Sequence, residues 1–171
     1  ELLDTEAPVT AQNFLGYMNQ GSYRNSFFHF SQNDAPVYVQ AGRYAKTGGQ
    51  GLDGIQEIFR RPKISNEASI SNTRGTVAMV PDDPSDPDST TSQFIINVTD
   101  NSATLDTLNG GYTVFARIIG DGMSLIDLIA SSPNVAFDND GLSEVPVIGP
   151  EIPIQNSPTF DIFEITLFDG D

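Results

Sequence analysis

At 171 residues with 38% hydrophobic content, the chain is large enough for one domain, 1–171, that buries its own core, and too apolar to be disordered. Its 23 acidic residues against 8 basic ones set a net charge of -15, a field that repels phosphate backbones and argues against nucleic-acid partners. The absence of cysteine excludes disulfides and thiolate chemistry, and no apolar run approaches the length of a membrane span.

The first residues, ELLDTEAP, already carry Leu2 and Leu3, which predicts a strand upstream of Glu1. PVTAQNFLGYMNQGSY reads as a helix, with Thr10 as N-cap, an apolar stripe of Phe14, Leu15 and Met18, and a stop at Gly21. APVYVQAG, GTVAMV, SQFIINV and GYTVFARII read as strands. GMSLIDLIASSP reads as a second short helix with Leu125, Ile126 and Ile129 on one side and Pro133 beyond its end. The closing TFDIFEITLF alternates well enough to be a strand with at least one buried face. Turn-rich pieces such as KTGGQGLDG, PDDPSDPDS and TLNGG separate these runs. Many strands with two widely spaced helices favour an antiparallel barrel or sandwich over a parallel α/β fold.

The stretch NSFFHFSQNDAPVYVQAG sets Phe27, Phe28, Phe30 and Tyr38 around His29, the one histidine, and reaches Gln40. It reads as a pocket wall. Several pieces, in this order, resemble the cyclophilin family of peptidyl-prolyl isomerases, bacterial members above all. They are EAPVTAQNFLGYMNQGSYRNSFFH, SNTRGTVAM, DSTTSQFIINVTDN and LDTLNGGYTVFARIIGDGMSLIDLIA. The resemblance implies a mostly β fold, a closed eight-stranded antiparallel barrel capped by two helices, whose first strand would precede Glu1. The segment at about 134–158 has no counterpart and is expected to be a long acidic surface excursion.

Isomerisation of an X-Pro bond breaks no bond; a catalyst must favour the twisted amide over the planar, resonance-stabilised one. The resemblance implies an arginine directly after the Phe-His pair as key donor, a glutamine that positions it, and an aromatic-lined hollow for the proline. Carried over residue by residue, His29 stands at the family's histidine, and Gln40, Gln93, Phe94 and Leu105 match. Phe30 takes the arginine position, Val37 and Tyr38 fall near the pocket phenylalanine and methionine, Ile95 replaces the second pocket phenylalanine, and Tyr112 replaces the pocket histidine. The expected catalytic positions are therefore Phe30, with its donor lost, and Gln40. Substrate would meet His29, Val37, Tyr38, Gln93, Phe94, Ile95, Leu105 and Tyr112. A hydroxyl of Tyr38 or Tyr112 is a geometric candidate for a replacement donor, whereas Arg43 should face away from Gln40 unless a bulge intervenes.

Plainer readings stand beside these. A lone histidine is more often structural than an acid–base group, and with no second histidine and no cysteine a zinc site is not expected. Asp82, Asp83, Asp86 and Asp88, and further on Asp138, Asp140 and Glu144, offer oxygen ligands without the spacing of a calcium loop, so solvated acidic turns are the default. The NVT sequon at Asn97 falls in a buried strand. The expected function is a cyclophilin-type isomerase of reduced or narrowed activity. The alternatives are a proline-peptide-binding module without catalysis, and an acidic excursion that contacts a partner. No cofactor or metal is implied. Partners would be proline-containing peptides or unfolded segments, the chain a monomer, and a periplasmic or secreted setting is favoured over the cytoplasm.

Overall fold

The computed structural model describes residues 1–47, 54–136 and 142–148, together with the backbone of 161–162 and 164–165. Helix α1 (Pro8–Asn19) begins with proline, whose missing N–H costs nothing in a first turn. Thr10 is not the N-cap; it lies inside that turn. The cap comes from far along the chain, where the Glu67 carboxylate accepts from the Val9 and Thr10 N–H groups (3.2 and 2.8 Å) and from the Thr10 hydroxyl (2.8 Å). A negative group there also complements the helix dipole. At the other end Gly21, with φ +69°, stops the helix as expected. Ser22 N–H donates to the Tyr17 carbonyl and Gly21 N–H to that of Met18, both at 2.9 Å, in a Schellman arrangement. The buried side carries Thr10, Ala11, Asn13 and Tyr17, while Leu15 is 37% exposed and leaves the expected stripe.

The chain continues through β1 (Ser26–Phe27), β2 (Phe30–Gln32), β3 (Tyr38–Ala41), β4 (Tyr44–Lys46), β5 (Ile55–Glu57), β6 (Thr76–Pro81) and β7 (Thr90–Asn97). Then come the one-turn helix α2 (Ser102–Leu105), β8 (Val114–Arg117), α3 (Gly122–Ala130), β9 (Asn134–Val135) and β10 (Val145–Ile148). The last strands are β11 (Asp161–Ile162) and β12 (Glu164–Ile165). Among the described residues there are thus three α-helices where two helices were expected. On α3 it is Ile126 and Ile129 that are buried, and Leu125, at 56% exposure, faces outward.

Hydrogen bonds do not draw the expected closed eight-stranded barrel. The described strands form an antiparallel five-stranded sheet ordered β2-β3-β7-β6-β8, a four-stranded sheet β12-β1-β4-β5 and a three-stranded sheet β11-β10-β9. The reason is local. The chain leaves one sheet for another between β1 and β2, and does so again at Gly42 between β3 and β4. Gly42 has φ +87°, and a Cβ there would collide with the Ser92 carbonyl oxygen, so only glycine takes that corner. Glu1–Leu3 lies along β8: Leu2 bridges Ala116, Leu3 N–H donates to the Phe115 carbonyl and Arg117 N–H to that of Glu1, both at 2.8 Å.

One face of the five-stranded sheet carries Val39, Ala41, Val77, Met79, Phe94 and Ile96 against the two longer helices, where Tyr17, Ile126 and Ile129 complete the main core. A smaller cluster joins Leu142, Val145 and Val147 to Phe27 and Tyr44. Most of the segment expected as an acidic excursion lies outside the described residues; within it Leu142, Val145 and Val147 are buried, and β10 pairs with β9 and β11. Removing the long-range helix cap by Glu67→Ala should cost about 1–2 kcal/mol of stability. Urea unfolding measures this, and hydrogen exchange should show the loss of protection confined to the first turn of α1.

Candidate functional site

All eight residues of β7 are buried, so its alternating side chains must be accommodated on two faces. Phe94 and Ile96 go to the helix side. Gln93 and Ile95 go to the other, and pairing brings further residues onto that second face: Gln40 opposes Ile95, and Phe30 in turn opposes Gln40. Tyr38, two residues before Gln40, joins them, and the Phe30 and Tyr38 rings lie 6.1 Å apart at 33°. That face carries a second apolar cluster of Leu3, Ala78, Ile95, Leu105 and Val114, with the half-buried Tyr38, Ile70, Val80 and Tyr112 packed against it; this is the candidate groove, or hollow.

A chain of polar side chains crosses one end. Gln40 Nε2 donates to Gln93 Oε1 (2.9 Å), and Gln93 Nε2 donates to Asp82 Oδ1 (2.9 Å). The Thr91 hydroxyl donates to Asp82 Oδ2 (2.6 Å), and Arg60 Nη1 lies 3.8 Å from the same oxygen. At the other end Asn101 holds Val37 by both backbone groups, accepting from its N–H (3.0 Å) and donating to its carbonyl (2.8 Å). Asn72 donates to Asp106 (3.0 Å) and to the Tyr112 carbonyl (3.1 Å). The amides of Gln93, Asn72 and Asn101 are buried and each has specific partners.

Burial raises the Tyr38 hydroxyl above its usual pKa, with nearby Tyr112 adding to it, and burial likewise raises Tyr112. Both are neutral donors at neutral pH, and neither hydroxyl finds a hydrogen-bond partner among the described residues. Phe30 presents an apolar edge beside them.

Of the expected site residues, Phe94 and His29 lie elsewhere, and Val37 takes part only through its backbone. Phe94 sits in the main core, 5.6 Å from Phe14 and 5.7 Å from Tyr23 in edge-on contacts. Val37 borders the hollow through its backbone and is not among the side chains packed on its floor. His29, only 2% exposed, turns onto Tyr44 at 5.3 Å, and its Nδ1 has no hydrogen-bond partner. Burial first and the Arg43 charge second lower its pKa to about 3, so it is a neutral core residue. Arg43 does not substitute for the missing donor: it donates twice to Glu57 at 3.0 Å and covers the Tyr44 ring.

Sequence reasoning missed Asp82, Asn101, Ile70 and Val80 as parts of the site. Asp82 carried no distinguishing signal within PDDPSDPDS, where it read as one more solvated acid. Its neighbours do serve turns: Asp83 accepts from Ser85, Asp86 from Lys63 and the Asp88 N–H, and Asp88 from the Asn66 N–H. Among the described residues no three His, Cys, Asp or Glu side chains come together as a metal site. Asp138 and Asp140 lie outside the described residues, and Glu144 accepts from Asn134. Asn97 is fully buried and donates to Asn72 and Thr76.

Residues 1–152 match the family model "Cyclophilin type peptidyl-prolyl cis-trans isomerase/CLD". The chain is 36% identical to a peptidyl-prolyl cis-trans isomerase of Acinetobacter baylyi, over 80% of this chain and 68% of that one. It is 38% identical to peptidyl-prolyl cis-trans isomerase B of Escherichia coli, over 74% of this chain and 73% of that one. In fold it is similar to a cyclophilin type isomerase of Cryptosporidium parvum, crystallised in the presence of the dipeptide Ala-Pro. The TM-score is 0.59 at 20% identity, covering 96% of this chain and 87% of that one.

The neutral His29 has a consequence for stability. Its folded pKa of about 3 lies below the usual 6.5, so the unfolded chain binds the extra proton and stability rises with pH through this window. The contribution is complete above about pH 6.5 and is lost progressively as pH falls toward 3. Between pH 7 and pH 5 the native chain should lose about 2 kcal/mol more than His29→Phe. Paired urea titrations at the two values check this.

Proposed function

Because the chain belongs to the cyclophilin-type peptidyl-prolyl cis-trans isomerase family, we propose that its hollow binds proline-containing segments and accelerates their isomerisation weakly. The observation that carries this reading is Phe30 standing opposite Gln40 on the groove face, where a donor to the proline nitrogen would be needed.

The planar amide owes a barrier of about 18–20 kcal/mol to resonance, and its charge-separated form is best stabilised by water. An apolar floor of Ile95 and Leu105 removes that water and favours the less dipolar, twisted amide. Gln40 holds a flanking peptide group while the ring turns. What Phe30 cannot supply is a hydrogen bond to the lone pair that nitrogen regains, an effect worth about 3 kcal/mol where one preorganised donor is removed. Desolvation and orientation remain, which accounts for activity that is reduced rather than absent. The dipeptide present with the Cryptosporidium relative supports a proline ligand of the same class. Folding clients would meet a monomer, and the net charge of -15 favours an envelope or extracellular setting.

A second reading has its own observation. Phe30 and Tyr38 are neighbours that extend the apolar wall, which suits gripping a proline segment without turning it over. NMR exchange on a panel of X-Pro peptides separates the two. The native chain should raise exchange measurably for peptides with apolar residues before proline, and Phe30→Arg should raise it about a hundredfold further. Exchange equal to buffer, with peptide resonances still shifting, would establish the binding module instead.

A further inference from the structure

We infer that Asp82 is a positioning residue for the groove: acting through Gln93, it sets which way round the Gln40 amide faces a bound segment. This deepens the proposed function and rests on it for the identity of the ligand. The relay itself follows from hydrogen-bonding chemistry. An ionised carboxylate only accepts, so Gln93 must turn its NH2 toward Asp82 Oδ1 (2.9 Å). Its Oε1 is then aimed at Gln40 and can only accept, which forces Gln40 to turn its own NH2 inward (2.9 Å). Gln40 Oε1 is left for the ligand. A glutamine without such an anchor presents either end of its amide; this one is committed as an acceptor. It selects segments that offer a backbone N–H beside the proline, since proline itself has none.

Asp82 is equipped for this task. Its side chain is 10% exposed, its second oxygen takes the Thr91 hydroxyl at 2.6 Å, and Arg60 lies 3.8 Å away. Both oxygens are thus engaged, and the carboxylate cannot turn without breaking a bond. Asp83, Asp86 and Asp88 in the same loop serve only turns or surface pairs, as described above, so Asp82 alone connects this acidic stretch to the groove.

Two measurements test the inference. In the first, the side-chain NH2 resonances of Gln93 and Gln40 are followed in the native chain and in Asp82→Ala, with titration of an Ala-Pro peptide. Both pairs of signals should move and affinity should fall about fivefold, the loss expected for one hydrogen bond. A shift at Gln93 alone, with Gln40 and affinity unchanged, would overturn the inference. The second reverses the relay's polarity and does not depend on the alanine variant folding. Gln40→Glu places a carboxylate against Gln93 Oε1 and should weaken binding. Adding Asp82→Asn should restore it, because an amide at position 82 can donate to Gln93, which then turns its NH2 toward position 40. A double variant no better than Gln40→Glu by itself would refute the relay. If no proline peptide binds at all, the groove reading fails, while the glutamine resonances still decide whether Asp82 orients Gln40.

Discussion

Burial of β7 on both faces is the constraint from which the rest of the molecule follows. A strand with one solvated face can vary half its side chains freely; this one cannot. Phe94 and Ile96 commit one face to packing under the helices, and Gln93 and Ile95 commit the other to the groove. Because the side-chain period is two, slipping β3 against β7 by one residue would send Gln40 into the core and Val39 into the groove. Gly42 guards that register, since its positive φ and close approach to Ser92 fix where β3 ends.

On this frame, buried polar groups do the holding that elsewhere falls to regular structure. Glu67 closes α1, Asn101 closes the loop before β3, Asn72 and Asp106 hold the far wall, and Asp82 anchors the glutamine pair. Each reaches its partner across many residues of chain, and each places its satisfied side chain at the edge of an apolar cluster. The acid-rich composition is therefore not all solvated surface: a few carboxylates are structural acceptors, and the remainder give the molecule its charge.

On the sheet face opposite the helices, Leu105, Ile95, Tyr38 and Tyr112 belong to one apolar cluster, and Gln40 and Gln93 form a polar pair beside it. The Phe30 ring lies 6.1 Å from that of Tyr38 and extends this apolar surface.

Taken alone, the sequence was enough to reveal the strands that become β3, β6, β7 and β8 and the stop of α1 at Gly21. These depend on turn chemistry and on periods of two or 3.6 residues, which neighbouring residues record among themselves. Long ordered motifs also carried the family, and Gln40, Gln93, Ile95, Leu105 and Tyr112, which they single out, come together on one face of the sheet. Tertiary structure decided the rest. Whether the strands close into a barrel depends on where the chain changes sheets, at Gly42 and between β1 and β2, and no local period encodes that. Phe94 lies off the groove because strand parity is counted from pairing partners, not from motif membership. Leu15 and Leu125 are outward because what a helix packs against selects its buried side. Glu67 and Asp82 look like ordinary surface acids until folding brings a helix terminus to one and a glutamine to the other. A hydrogen bond between residues distant in sequence leaves no mark in either one's own neighbourhood.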